Sequence, residues 1–372
     1  MSGTGRRLER LLERLREREL DWLLVGVGVN LRYLTGFTGS NGLALIDAGG
    51  RGRHRFLTDF RYDTQAAQQV PAGFERQIVS GDLLAAAAGA LGELSGGSSR
   101  ADARRLGFDD AATSVKQHVR LLELLDSGWE LVGCAGVVED LREVKDASEI
   151  EAIVAACTLA DAALERVLQG GLVGRSERDV AIELELAMRR LGAQTPSFPT
   201  IVAAGAHGAL PHAEPRAEAI VPDALVTIDW GAQLDGYCSD CTRTYATGRL
   251  DGEAQDIYGL VLAAQEAALA AVRPGIGARE LDAVARERIE TAGHGERFGH
   301  GLGHGVGLEI HEAPRLARTA DDRELRVGNV VTIEPGVYLP GSLGVRIEDL
   351  VVVGEQGAQR LTKLPKELQT VG

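Results

Sequence analysis

The sequence predicts an α+β protein in two parts: a smaller N-terminal α/β domain, residues 1–143, and a larger C-terminal domain, residues 144–372, built from a duplicated unit. Three observations predict it. Strand-like and helical runs alternate over roughly the first 130 residues, the pattern of an α/β domain. Beyond them a two-helix segment occurs twice, with Gly174-Arg-Ser-Glu177-Arg-Asp179 and Gly277-Ala-Arg-Glu280-Leu-Asp282 each opening the second helix of a pair. Finally, Val226–Ala232 (V-T-I-D-W-G-A) returns as Val331–Val337 (V-T-I-E-P-G-V). The domain boundary is expected near Leu141–Asp146.

In order along the chain, Arg6–Leu20 sets Leu8, Leu11, Leu12 and Leu15 at helical spacing with charges on the other face. Trp22–Val29 reads as a buried strand and Asn30–Gly42 as a polar, glycine-containing loop. Further strands are expected at Leu43–Ile46, Arg55–Thr58, Glu75–Val79 and Leu106–Phe108, with helices near Leu83–Leu94 and Val115–Leu125. Gly92–Ser99 reads as an exposed loop inside this domain. A long helix is expected from Asp146, whose spacing to Glu149 is a capping-box pattern, to about Gln169.

Composition narrows the function. Hydrophobic residues make up 44% of the 372 and aromatics 4%, and the net charge of −14 argues against nucleic acid or an anionic membrane as partner. A peptide substrate is compatible with that charge. Four cysteines (Cys134, Cys157, Cys238, Cys241) make no disulfide framework in a chain this long. No apolar run reaches the ~20 residues of a membrane span. Met1–Leu20 is charged and has no signal-peptide core, so a cytoplasmic location is expected.

The repeat carries the chemistry. Asp229 and Glu334 each follow a β-branched run, and each is followed by a second carboxylate, Asp240 in Y-C-S-D-C-T-R-T and Glu348 in V-R-I-E-D. A lone carboxylate in an apolar strand costs several kcal/mol of desolvation. Four at repeated positions need a common positive partner, for which a pair of divalent metal ions is the obvious candidate. A hairpin through Gly231–Tyr237 can bring the first two together, and one through Tyr338–Gly344 the second two.

Six of the eight histidines fall between His207 and His311. The densest stretch, Gly299–Glu312, holds His300, His304 and His311. Five glycines from Gly299 to Gly307 make a helix there improbable but let the backbone pass close to a ligand. No phosphate-binding glycine spacing is present. Cys238-x-x-Cys241 lacks a second cysteine pair and is expected to be two small strand residues. His212, in Pro211-His212-Ala-Glu-Pro, matters only if its loop returns to the carboxylates.

Together these motifs, P-S-F-P-T-I-V, P-H-A-E-P, T-I-D-W-G, S-D-C-T-R-T, G-H-G-L-G-H-G-V-G-L-E-I-H-E, T-I-E-P-G-V-Y and V-R-I-E-D, resemble in order those of the creatinase/aminopeptidase P/prolidase family, the pita-bread metallopeptidases. The likeness covers roughly residues 145–372, with a looser one in the N-terminal part. It implies a pita-bread domain with a pseudo-two-fold axis and a dinuclear site of Asp229, Asp240, His304, Glu334 and Glu348. By the same resemblance Asp240 and Glu348 bridge both metals, and Glu334 is also the general acid/base. His212 and His311 act on the scissile carbonyl and the tetrahedral intermediate, and His300 and Arg346 shape the proline side. The oxygen-rich donor set favours manganese, with cobalt or zinc as substitutes.

The implied reaction is hydrolysis of an Xaa-Pro bond by a metal-bridging hydroxide, leaning to dipeptides, in a homodimer. An aminopeptidase P acting on longer peptides stays open, as does a non-catalytic binding protein on the same fold; a metal-free amidinohydrolase and a methionine aminopeptidase are further readings. A dipeptidase needs a cation for the proline carboxylate. Arg346 and Arg32, the latter in the predicted Asn30–Gly42 loop, are the candidates.

Overall fold

The computed structural model describes residues 3–49, 54–95 and 103–372, and the chain separates into two compact units, Met1–Arg142 and Glu143–Gly372. In the first unit the elements are α1 (Gly3–Glu17), β1 (Trp22–Val25), α2 (Gly28–Thr35), β2 (Gly42–Asp47), β3 (His54–Thr58), α3 (Asp63–Gln69), β4 (Phe74–Ile78), α4 (Leu83–Ser95), β5 (Arg104–Phe108), α5 (Val115–Leu124), β6 (Trp129–Gly133) and α6 (Glu139–Arg142). The six strands form one sheet in the order β4-β3-β2-β1-β5-β6. Only β2 runs against its neighbours. In α1, Leu11 and Leu15 are buried as their spacing requires.

Three expectations need correction here. The strand expected over Trp22–Val29 stops at Val25, and the loop expected over Asn30–Gly42 begins as α2. Gly36 caps this helix with φ 76°, its N–H donating to the Arg32 carbonyl, so the glycine that suggested a loop is instead the helix stop. Leu31 and Leu34 are buried one turn apart, and the side chain of Asn30 bonds Glu139 and Arg142. Arg32 therefore stands in the last turn of a helix. Residues 92–95 of the expected loop Gly92–Ser99 end helix α4, and 96–99 lie outside the described residues.

The second unit opens with α7 (Ala147–Leu168) and α8 (Glu177–Arg190), followed by β7 (Thr195–Pro196), β8 (Ile201–Ala204), β9 (Leu225–Trp230), β10 (Ala232–Leu234), β11 (Tyr237–Cys238) and β12 (Cys241–Ala246). A second helix pair, α9 (Gly252–Ala271) and α10 (Ala278–Thr291), then precedes β13 (Gly303–Gly305), β14 (Glu312–Leu316), β15 (Val330–Ile333), β16 (Gly336–Leu339), β17 (Leu343–Arg346), β18 (Asp349–Gly354) and β19 (Gly357–Arg360). The reciprocal capping box of Asp146 and Glu149 starts α7. The central sheets are β12-β9-β8 in the first half and β14-β13-β15-β18-β19 in the second; β11-β10-β7 and β16-β17 form smaller ones.

Period-two alternation explains why the site lies where it does. On β9, Val226, Ile228 and Trp230 pack with α7 and α8, so Thr227 and Asp229 face the other way. On β15, Val331 and Ile333 pack with α9 and α10, which turns Thr332 and the following Glu334 away from the helices. The helix pairs thus cover the outer faces, and the inner faces of the halves meet. Thr227 Oγ1 in the first half donates to the Gly344 carbonyl in the second, at 3.2 Å.

Candidate metal centre

Asp229 is the last residue but one of β9, while Asp240 and Glu348 fall between strands, each two residues after one (β11, β17) and directly before the next (β12, β18). The halves are not in identical register. Asp229 faces Thr242 across β9–β12, and Asp240 lies two residues earlier; Ile333 faces Asp349, leaving Glu334 opposite Glu348. An even offset keeps every carboxylate on the inner face. Ligand atoms of Asp229, Asp240 and Glu348 all lie within 4.8 Å of one another.

His304 completes the cluster, with Nε2 3.3 Å from Glu334 Oε1 and 3.5 Å from Asp240 Oδ2. The glycines around it are there for packing. A Cβ on Gly303 would overlap the Thr332 carbonyl, and one on Gly305 the Ala313 carbonyl, so β13 fits between β14 and β15 only with glycine at both positions. The Nδ1 of His304 faces the Gly305 carbonyl at 3.1 Å and must carry the proton. Its Nε2 lone pair is thereby aimed at the carboxylates, the arrangement of a metal-ligating imidazole.

Electrostatics point the same way. Burial, then repulsion from neighbouring carboxylates, pushes Asp240 and Glu348 well above the usual range. Burial also raises Asp229, though the Arg346 guanidinium offsets part of the effect. Burial opposes the charge of Glu334 as well, but His304 at its side, together with His300 and Arg346, outweighs that and holds it at about 2. Asp229 Oδ1 and Glu348 Oε1 are buried with no hydrogen-bond partner. Buried, unpartnered carboxylate oxygens converging on a point beside a free imidazole nitrogen fit divalent cations, and no cysteine joins the cluster. Cys238 and Cys241 are buried and unpaired.

Threonines and an arginine brace the acids from behind. Thr242 Oγ1 donates to Glu348 Oε2 at 2.7 Å, and Thr332 Oγ1 donates to Glu334 Oε1 at 3.0 Å while accepting from the His304 amide. Arg346 is 4% exposed and donates to Asp229 Oδ2 at 2.7 Å, Thr242 Oγ1, the Tyr338 hydroxyl and the Pro211 carbonyl. With its donors so committed, Arg346 braces Asp229 and the His212 loop. Tyr338 in turn bonds His300 Nε2 at 2.9 Å, and His300 Nδ1 faces the Gly301 carbonyl. Only one proton arrangement satisfies this chain: Arg346 donates to Tyr338, Tyr338 to His300 Nε2, and His300 Nδ1–H to Gly301. His300 is kept neutral, chiefly by burial.

The cluster floors a cleft of about 660 Å³ that His212, His300, His311, Glu312, Arg315 and Arg346 also line. That volume suits a small peptide. The His311 ring lies edge-on to His304 at 4.4 Å, and burial together with His304 and His212 lowers its pKa, so it is neutral at pH 7. Every residue expected at the site lines this cleft except Arg32, which belongs to the N-terminal unit. Tyr338, Thr242 and Thr332 stood inside the recognised motifs without being singled out. Arg315, three residues past the histidine-rich stretch, had no signal beyond its charge.

Residues 151–355 match the model of metallopeptidase family M24, and residues 7–144 match the creatinase/prolidase N-terminal domain. An uncharacterized peptidase of Bacillus subtilis, YqhT, is 40% identical over 97% of this chain and 99% of its own length. Among solved structures, an Xaa-Pro dipeptidase from Bacillus anthracis has 40% identity and a TM-score of 0.92, covering 99% of both chains. An X-Pro aminopeptidase from Thermotoga maritima has 34% identity and a TM-score of 0.87, covering 95% of this chain and 99% of its own. The chain belongs to metallopeptidase family M24, in the creatinase/prolidase group whose N-terminal domain it also carries.

Proposed function

We propose that this enzyme hydrolyses the bond before proline in short peptides, with Xaa-Pro dipeptides preferred. The observation that carries the reading is the convergence of Asp229, Asp240, His304, Glu334 and Glu348 on the floor of one cleft. These five would hold two divalent cations, manganese first among them for so oxygen-rich a donor set. Bound there, the metals would polarise the scissile carbonyl and lower the pKa of a coordinated water from ~15.7 toward ~7.

The chain's own groups account for the rest. Glu334, held ionised, can take a proton from the attacking water and return it to the departing proline nitrogen. His311 and His212 have no hydrogen bond to any described residue, so their N–H groups are available to the substrate carbonyl and the developing oxyanion. Arg315 lines the cleft without an ion-pair partner among the described residues. It is the better candidate for a dipeptide's carboxylate, because Arg346 is spent on Asp229 and Tyr338.

The test pairs elemental analysis of the purified protein with turnover of Ala-Pro, Ala-Pro-Ala and Ala-Ala. About two manganese-class ions per chain and cleavage of Ala-Pro above Ala-Pro-Ala, with Ala-Ala inert, is the expected result. Equal turnover of the two proline peptides would remove the dipeptide preference, and inert Ala-Pro in the metal-loaded enzyme would remove the reading itself.

A further inference from the structure

His207 lies within the histidine-rich region yet does not line the cleft, and its partner is a buried acid on the second helix of the first half. Glu177 begins α8 and its side chain is 1% exposed. Its Oε2 accepts from the Arg216 amide at 2.9 Å and from His207 Nδ1 at 2.9 Å; its Oε1 accepts from the Ala204 amide at 2.9 Å. The Arg216 guanidinium adds two bonds, each at 3.1 Å. A carboxylate only accepts, so His207 Nδ1 carries a proton here.

Ala204 and Arg216 are the two ends of the segment that presents His212. With both amides on one carboxylate, the segment is shut at its neck, as in a compact Ω-loop. The middle of the loop is held from the opposite half, where Arg346 donates to the Pro211 carbonyl at 3.1 Å. The second half contains a similar device. Asp282 on α10 accepts from the Leu302 amide at 3.0 Å and pairs with Arg286, which donates to the Phe298 and His300 carbonyls at 2.8 and 2.7 Å. In both halves, then, a buried acid on the second helix grips a histidine-bearing segment.

We infer that Glu177, with His207 and Arg216, is a positioning clasp that fixes His212 at the rim of the cleft. This rests on the proposed role of His212 toward the scissile carbonyl. His207 thereby serves the geometry of the loop, and neither it nor Glu177 touches the substrate. Among the described residues, no hydrogen bond or ion pair joins Glu177, His207 or Arg216 to the five clustered residues, so loss of the clasp is expected to change turnover with metal content retained.

Glu177→Gln keeps an acceptor oxygen but loses the charge that holds His207 and Arg216. In the manganese-loaded enzyme it is expected to lower kcat on Ala-Pro about tenfold or more, as misplaced catalytic groups do, with KM little changed. In a His212→Ala background the same substitution should change kcat by less than about twofold, because the clasp acts through His212. Amide hydrogen exchange across residues 204–216 should quicken in Glu177→Gln while the rest of the unit keeps its protection. Should that variant fail to fold, Arg216→Ala, made from the exposed side, should show the same signs more weakly. An equal loss of kcat with and without His212, a parallel loss of metal, or unaltered exchange across the loop would each overturn the clasp. A wild-type enzyme inert toward Xaa-Pro peptides would sink the functional reading alone, and the exchange experiment would still decide the clasp.

Discussion

Asp161 offers a stability experiment whose sign and size follow from its surroundings. It lies on α7, buried, with Oδ2 accepting the Lys363 amide at 2.7 Å and Oδ1 without a partner. Burial pushes its carboxyl from 3.8 to about 6, against the pull of the Lys363 amide and Arg243 and with repulsion from Asp349 and Glu165. Cys157, Cys241 and Tyr245 also face it, their own ionisation driven upward by burial. The folded pKa exceeds the unfolded one. Its contribution to stability is therefore complete below 3.8 and lost as pH rises through 6. At 1.36 kcal/mol per pKa unit, the ionised carboxylate costs roughly 3 kcal/mol at pH 8. Asp161→Asn has the same shape, keeps an acceptor for the Lys363 amide and never ionises. Urea unfolding of both proteins, stripped of metal with EDTA, should show Asn gaining on Asp by roughly 2–3 kcal/mol between pH 4 and pH 8. Comparison across pH cancels any fixed cost of the new NH2 group. A constant difference between the two proteins over that range would refute the reasoning.

Other outcomes follow from the site. Asp240→Ala or Glu348→Ala should lose metal and activity together, by more than the roughly 10–100-fold typical of an outer-shell partner, as read by elemental analysis and Ala-Pro turnover. Full activity in either would contradict the ligand set. Lys145 and Glu312 form a buried pair at 2.9 Å, the latter next to His311. Lys145→Met should destabilise by about 3–5 kcal/mol in urea unfolding, and adding Glu312→Gln should recover most of it. Arg315→Ala should raise KM for Ala-Pro by about tenfold or more, the worth of a charge-assisted hydrogen bond, with a smaller effect on Ala-Pro-Ala. Equal effects on both peptides would separate Arg315 from the dipeptide's carboxylate.

The sequence by itself determined much of this protein. V-T-I-D and V-T-I-E announce strands with one apolar face and one functional face, because alternation is a local property of the extended chain. Asp146 and Glu149 announce a helix start because a capping box closes within a single turn. The glycines around His304 announced close backbone approach, and Gly303 and Gly305 pack against neighbouring carbonyls. Tertiary structure decided what depends on partners far apart in the chain. Arg346 had the look of a cation for substrate, and only folding brought Asp229 and Pro211 to it. From sequence Arg32 falls in a loop, because Gly36 looks the same as a loop glycine or as a helix cap until Leu31 and Leu34 find a core. The two-residue offset between the hairpins, the unpartnered oxygens of Asp229 and Glu348, and the grip of Glu177 on both ends of the His212 loop are likewise invisible in a string of letters. Local chemistry names the groups available to the site, and long-range packing fixes which of them remain free to meet a metal or a peptide.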